Sequence, residues 1–108
     1  MRQEHNKLVR DKIPEIIEQS GDKAVVHVLN DEEYKKELLR KLVEEAGEVL
    51  EVGMDLEELK KEMGDVLEVI DHIVAHFQLE KEEIEKIKTT RKEKRGGFES
   101  KIFLEYTE

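Results

Sequence analysis

The chain has 108 residues, the length of one ordinary domain, and 44% of them are charged whereas 37% are apolar. Its formal net charge of −9 argues against binding to a nucleic-acid polymer, because such surfaces are built from clustered lysine and arginine. Cysteine is absent, which excludes thiol chemistry, and no apolar run is long enough for a membrane span or a signal peptide, so we expect a cytoplasmic protein that binds no membrane.

The first predicted helix runs from Pro14 to about Gln19. Proline suits the first turn of a helix, and Gly21 ends it. The next element is a predicted strand, Ala24–Leu29, because this run is short and rich in β-branched residues. A lone strand is not stable, so it needs a partner elsewhere.

Two long helices are predicted next, one from Asp31 to about Val52 and one from Asp55 to about Phe77. Asp31 suits the N-cap position, Asp55 can begin a capping box, and Gly53 lies between the helices. The short connection forces the pair to lie antiparallel. Since a chain with so few apolar residues buries a thin core, we expect a second copy to complete that core, in a homodimer or homotetramer.

A further helix is predicted from Glu80 to Lys94, and a second strand from Phe98 to Tyr106. Pairing of the two strands would give a small ribbon that packs across the helices. The predicted fold is therefore mainly α, in a single domain spanning 1–108. It places the antiparallel long-helix pair and its flanking helices in a four-helix-bundle type of oligomer core, and it adds the two-strand β ribbon.

Two basic clusters are candidates for phosphate binding. One precedes the first helix, and the other ends the last helix, where cations are also favoured by the helix dipole. Each cluster can equally be a solvated helix end. The residues concerned are Lys7, Arg10, Lys12, Arg91, Lys94 and Arg95.

Acidic residues inside the apolar stripes of the two long helices are the most unusual feature of the sequence. Glu45 continues such a stripe on the first long helix, and Glu48 lies one turn further on. On the second long helix Glu62 borders the stripe and Asp65 follows one turn later. Because the helices are antiparallel neighbours, the four carboxylates can converge on one cleft.

Converging carboxylates repel one another, and burying each charge costs several kcal/mol unless the charge is paired. A hard divalent cation relieves this best, and all-oxygen ligands suit Mg²⁺ or Mn²⁺. The alternative is that 28 acidic residues in 108 produce such spacings on solvated helix faces. Gly47 and Gly64 weigh against that alternative, since a glycine costs about 1 kcal/mol in a helix interior. Their presence beside the carboxylates predicts a close backbone approach.

Glu68 lies one turn beyond Asp65 and has two interpretations. It is either an auxiliary acid that orients water or holds a second metal, or a simple partner on the helix face. His72 and His76 could bind zinc together with Glu68, but the HExxH pattern is absent, so zinc is the weaker assignment.

The run Glu44-Glu45-x-x-Glu48, followed by Glu62-x-x-Asp65, resembles the signature of the MazG-like all-α nucleoside triphosphate pyrophosphohydrolases. The flanking segments 7–17 and 95–98 resemble a small single-domain branch of that superfamily, the phosphoribosyl-ATP pyrophosphohydrolase-like proteins. The resemblance covers nearly the whole chain. It implies a helical homodimer or homotetramer in which the residues at 45, 48, 62 and 65 hold catalytic Mg²⁺. Glu44 would interact with the metal ligands without binding the metal itself, or it would contact the partner subunit.

The resemblance also implies the reaction. It would be hydrolysis of a phosphoric anhydride, cleaving a nucleoside triphosphate to the monophosphate and pyrophosphate as nucleotide-pool house-cleaning. One alternative within this class is phosphoribosyl-ATP hydrolysis in histidine biosynthesis. Another is a non-catalytic helical dimerisation module whose acidic cleft binds a basic partner, although that gives no reason for acids at Glu45 and Glu62, where apolar residues would pack better.

Overall fold

A computed structural model describes the whole chain, Met1–Glu108. It contains four helices and no strand. The mainly α prediction is therefore confirmed. None of the helices has the length and apolar character that crossing a membrane requires. The helices are α1 (Ile13–Gln19), α2 (Asp31–Val52), α3 (Leu56–His76) and α4 (Lys81–Arg95).

The chain divides into two compact units, Met1–Phe77 and Gln78–Glu108. The first contains α1, α2 and α3, and the second contains α4 and the C-terminal segment. The acidic residues singled out above all lie in the first unit.

Side chains cap both long helices at their N-termini. The Asn30 side chain accepts a hydrogen bond from the Glu33 backbone N–H at 2.9 Å, and the Glu33 carboxylate accepts one from the Asn30 N–H at 3.3 Å. The N-cap of α2 is thus Asn30, one residue before the predicted Asp31. Asp55 caps α3, because its carboxylate accepts from the Glu58 N–H at 3.2 Å. Its own N–H donates to the Val52 carbonyl at 3.3 Å, so only half of the predicted capping box forms.

Helices α2 and α3 pack closely against each other. Only residues 53–55 connect them, and Gly53 adopts a φ of 58°, which turns the chain back on itself. Because so short a connection joins two helices packed along their length, they run antiparallel, as predicted. The core between them is thin: Leu38, 2% exposed, is its buried apolar residue.

The predicted β ribbon is wrong. Neither segment 24–29 nor segment 98–106 forms a strand. Most of their apolar side chains are exposed, with Val28 and Phe98 each 97% accessible. β-Branched and aromatic residues favour a strand only when a pleated surface packs against them, and no such surface covers these segments here.

Candidate metal centre

Three of the four predicted ligands come together between α2 and α3. Glu45 and Glu48 lie one turn apart on α2, and Glu62 lies on the facing part of α3. One carboxylate oxygen from each of the three lies within 4.8 Å of the others. We call these three residues the carboxylate trio. The helical spacing sets the positions on α2, and the short connection to α3 brings the third alongside.

The trio is partly buried and incompletely paired. Glu45 is only 7% exposed. The Oε2 atoms of Glu45 and Glu62 are both shielded from solvent, and neither has a hydrogen-bond partner. A buried polar atom without a partner costs roughly 1–3 kcal/mol, and more when it is charged. A cation bound between the three carboxylates would offset this cost, because it would pair with the two buried oxygen atoms.

Two carboxyl groups of the trio have pKa values above the ordinary value for glutamate. Burial raises the pKa of Glu45 above its ordinary value, and repulsion from Glu48 adds to the effect, while attraction to Lys41 opposes it. Desolvation also raises the pKa of Glu62, and the neighbouring Glu48 carboxylate strengthens the preference for a proton. The negative neighbours that favour a proton on these carboxyls favour any other cation there for the same electrostatic reason.

Asp65, the fourth predicted ligand, does not join the trio. Arg10 donates a hydrogen bond from Nη2 to the Asp65 carboxylate at 2.8 Å, and its Nη1 pairs with Glu68 at 2.7 Å. The pairing with Arg10 lowers the pKa of Glu68. Asp65 is nevertheless near enough to contribute to the raised pKa of both Glu45 and Glu62. It therefore lies at the edge of the trio, held by a guanidinium.

Glu44 lies beside the trio, but its charge is already balanced. Its carboxylate accepts from Lys7 Nζ at 2.7 Å and from Lys41 Nζ at 3.0 Å. The hydrogen bond from Lys7 is the main reason that the pKa of Glu44 lies below its ordinary value. Glu44 therefore ties the N-terminal segment to α2.

Lys41 is the residue near the trio that the sequence analysis missed. Its ammonium lies 3.7 Å from Glu45 as well as bonding Glu44, and its side chain is only 16% exposed. The available signal was its spacing, three and four residues before two motif glutamates on the same helix.

The remaining four predicted basic residues lie at the start of α1 and near the end of α4. Lys12 is exposed at the start of α1 and caps it without a side-chain hydrogen bond. The other three lie near the end of α4, in the second unit, on a shallow groove of about 530 Å³. That groove is lined by Glu83, Lys86, Ile87, Thr90, Arg91, Lys94 and Arg95.

One expectation for the long helices differs from the structure. A Cβ placed on Gly47 or Gly64 would meet no atom within 4 Å, so the predicted close approach is wrong within the single chain. The histidines form no group of metal-ligating atoms. His72 lies 3.7 Å from Glu68, and its ring stacks on that of His76 at 6.3 Å.

No known protein family, no characterised protein and no solved structure matches the chain. The functional proposal therefore rests on the residues around the trio and on the resemblance of their motifs described above.

Proposed function

We propose that the chain is a Mg²⁺-dependent nucleoside triphosphate pyrophosphohydrolase that forms a nucleoside monophosphate and pyrophosphate. The observation that carries the proposal is the carboxylate trio with its two buried, unpartnered oxygen atoms. A helix pair that served only as packing would place apolar side chains there, because an unpaired buried carboxylate destabilises the fold.

The donor set fits a hard cation. All the available atoms are carboxylate oxygens, which suit Mg²⁺ or Mn²⁺ better than zinc. Asp65 lies at the edge of the trio, paired with Arg10. When bound, the metal would withdraw charge from the substrate phosphates and lower the pKa of a coordinated water. Three carboxylates bind such a cation and still leave positions for phosphate oxygens.

The protein's own groups account for the remaining requirements. Glu45 is the buried member of the trio, and Glu48 and Glu62 are half-buried, so one side of the site stays open to a substrate. Glu48 or Glu62 accepts the proton of the attacking water, since both carboxylates lie within the trio. Basic side chains near the site, Arg10 and Lys7 among them, neutralise the leaving pyrophosphate. No covalent nucleophile is needed, which suits a chain without cysteine.

The surface of the chain supports a homodimer or homotetramer. The single chain exposes 10,309 Å². Two compact units of these lengths, even fully separated, would together expose about 7,400 Å². The excess of about 2,900 Å² per chain amounts to about 5,800 Å² for a pair, slightly more than the roughly 2,000–5,000 Å² that obligate dimers usually bury, and the exposed segments outside the helices account for part of it. Much of the exposed surface is apolar and recurs at helical spacing along α2 and α3, at Leu39, Val43, Leu50, Met63, Leu67 and Ile70.

The resemblance of the Glu44–Glu48 and Glu62–Asp65 motifs to the MazG-like enzymes supplies the reaction class, with the nucleoside triphosphate as substrate. Phosphoribosyl-ATP remains the rival substrate within that class. The non-catalytic dimerisation module is the rival outside it, and it predicts no turnover and no metal binding.

A product analysis tests the proposal. The protein is incubated with Mg²⁺ and a panel of canonical and modified nucleoside triphosphates, and the products are separated by anion exchange. Wild type should yield monophosphate and pyrophosphate, while Glu45→Gln should yield neither. Glu51→Gln is the matched control, because Glu51 is an exposed acid on the same helix. Release of diphosphate and phosphate would refute the reaction. Equal activity in Glu45→Gln would refute the site.

A further inference from the structure

The segment from Lys7 to Lys12, which we call the basic strap, is tied to the helix pair by three ion pairs. Lys7 bonds Glu44 at 2.7 Å, and Arg10 bonds Asp65 at 2.8 Å and Glu68 at 2.7 Å. These contacts join residues far apart in the sequence, so they fix where the strap lies. The strap thus brings Arg10 to the edge of the trio.

Asp65 is paired with Arg10 at this edge, in a position where it could instead bind a cation held by the trio. It lies one turn from Glu62 on α3, where a fourth ligand would be expected, yet its carboxylate is held by Arg10. The trio is left with two buried oxygens that no cationic side chain satisfies. Arg10 therefore neutralises the rim of the site and leaves its centre open.

The contacts of Arg10 can be exchanged. Its side chain is 55% exposed, that of Asp65 is 39% exposed and that of Glu68 is 48% exposed. Ion pairs this accessible to water are weak, so a divalent cation can displace the guanidinium from Asp65. A guanidinium that fits two carboxylates also fits phosphate, because both present paired oxygen atoms to its planar fork.

We propose that Arg10 and the divalent cation compete for Asp65, and that Arg10, once displaced, binds the substrate phosphates. This inference rests on the function proposed above and assigns an order to it. Without metal, Arg10 is occupied by Asp65 and Glu68. With a divalent cation held by the trio, Asp65 would pair with the cation, and Nη2 of Arg10 would be free to contact the triphosphate while Nη1 stays paired with Glu68. Arg10 is thus a substrate-contacting residue that becomes available only at a loaded site.

The first test is a double-mutant cycle read out by Mn²⁺ affinity, measured by electron paramagnetic resonance of the free ion. The cycle compares wild type, Arg10→Gln, Asp65→Asn and the double variant. Arg10→Gln should bind Mn²⁺ about fivefold more tightly than wild type, because an exposed competing pair is lost. In the Asp65→Asn background the same change should give no gain. Unchanged or weaker binding by Arg10→Gln overturns the competition. An equal gain in both backgrounds also overturns it, since that would be a long-range charge effect.

The second test measures inorganic pyrophosphate binding by calorimetry at saturating Mg²⁺. Arg10→Gln should weaken this binding about tenfold or more, and Arg10→Lys should restore part of it, because charged hydrogen bonds to the phosphates are lost and partly replaced. Arg2→Gln is the matched control, since Arg2 is an exposed arginine that pairs only with Glu4. Unaltered pyrophosphate affinity in Arg10→Gln overturns the phosphate contact.

The two proposals fail in different ways. If wild type binds no Mn²⁺ and hydrolyses nothing, the proposed function and this inference both fall. If wild type binds Mn²⁺ and releases pyrophosphate while the Arg10 variants behave like wild type, only the inference falls. Circular dichroism melts of each variant verify that the affinities are compared between folded proteins.

Discussion

Glu45→Gln should be more stable than wild type in the absence of metal and less stable than wild type in the presence of Mg²⁺. Glu45 is 7% exposed, and its Oε2 has no partner. Glutamine keeps the shape and removes the charge. Because an unsatisfied buried group costs roughly 1–3 kcal/mol and Lys41 offsets part of that, we expect metal-free Glu45→Gln to be about 1 kcal/mol more stable. For a domain of this size that raises Tm by about 5 °C.

The sign of the pH dependence follows from the raised pKa of Glu45. The folded state holds this proton more tightly than the unfolded state, so the ionised group weakens folding once the pH exceeds the unfolded value. The advantage of Glu45→Gln should therefore grow as the pH rises above the unfolded pKa, be full above the raised folded pKa, and vanish below about pH 4, where the carboxyl is protonated in both states.

Added Mg²⁺ should reverse the ranking. At about 100 times its dissociation constant, a ligand that binds only the folded state stabilises it by about 2.7 kcal/mol. Wild type gains this and Glu45→Gln does not, so wild type becomes the more stable protein. The assay is a thermal melt at pH 7 and equal protein concentration, in EDTA and in excess Mg²⁺, with Glu51→Gln as the control. Lower stability of Glu45→Gln in EDTA, or equal stabilisation of both proteins by Mg²⁺, would refute a metal-binding role for this carboxylate.

Leu38→Ala should lower the free energy of unfolding by about 2–3 kcal/mol, because Leu38 is 2% exposed, and a chemical denaturation midpoint equal to wild type would contradict its core position. The proposed homodimer or homotetramer predicts that Val43→Asp runs as a monomer in size-exclusion chromatography with light scattering and that wild type does not, because Val43 is 73% exposed on an apolar stripe; equal masses would place the interface elsewhere. At pH values above the unfolded pKa of Glu44, Lys7→Gln should be less stable than wild type, because the ion pair between Lys7 and Glu44 is lost. The wild-type advantage should fade as pH falls through the lowered folded pKa, so an advantage that persists in strong acid would exclude this ion pair as its source.

The helical architecture was largely predictable because its causes are local. Apolar residues at helical spacing and the caps at each end set α2 and α3 to within a residue or two. The N-cap of α2 differed by one position because Asn30 and Asp31 are both good capping residues. The hydrogen bonds with Glu33 decide between them.

The trio was predictable for a similar reason, but Asp65 was not. Glu45, Glu48 and Glu62 are brought together by helical spacing and a short connection, both visible in the sequence. Asp65 is held by Arg10, which lies 55 positions away, and no local pattern encodes such a pairing. The prediction of the ribbon was wrong because β-branched and aromatic residues favour a strand only where another part of the protein packs against it, and the sequence does not show whether such packing exists.

The trio lies entirely within one helical hairpin, and this has a kinetic consequence. Its members are separated by a single short connection, whereas the ion pairs of the basic strap join distant parts of the chain. Contacts between sequence neighbours form faster than contacts that must close long loops. We therefore expect the trio to assemble as soon as α2 and α3 meet, before the strap docks. A metal ion captured at that stage would stabilise the hairpin and act as a folding nucleus for the rest of the chain.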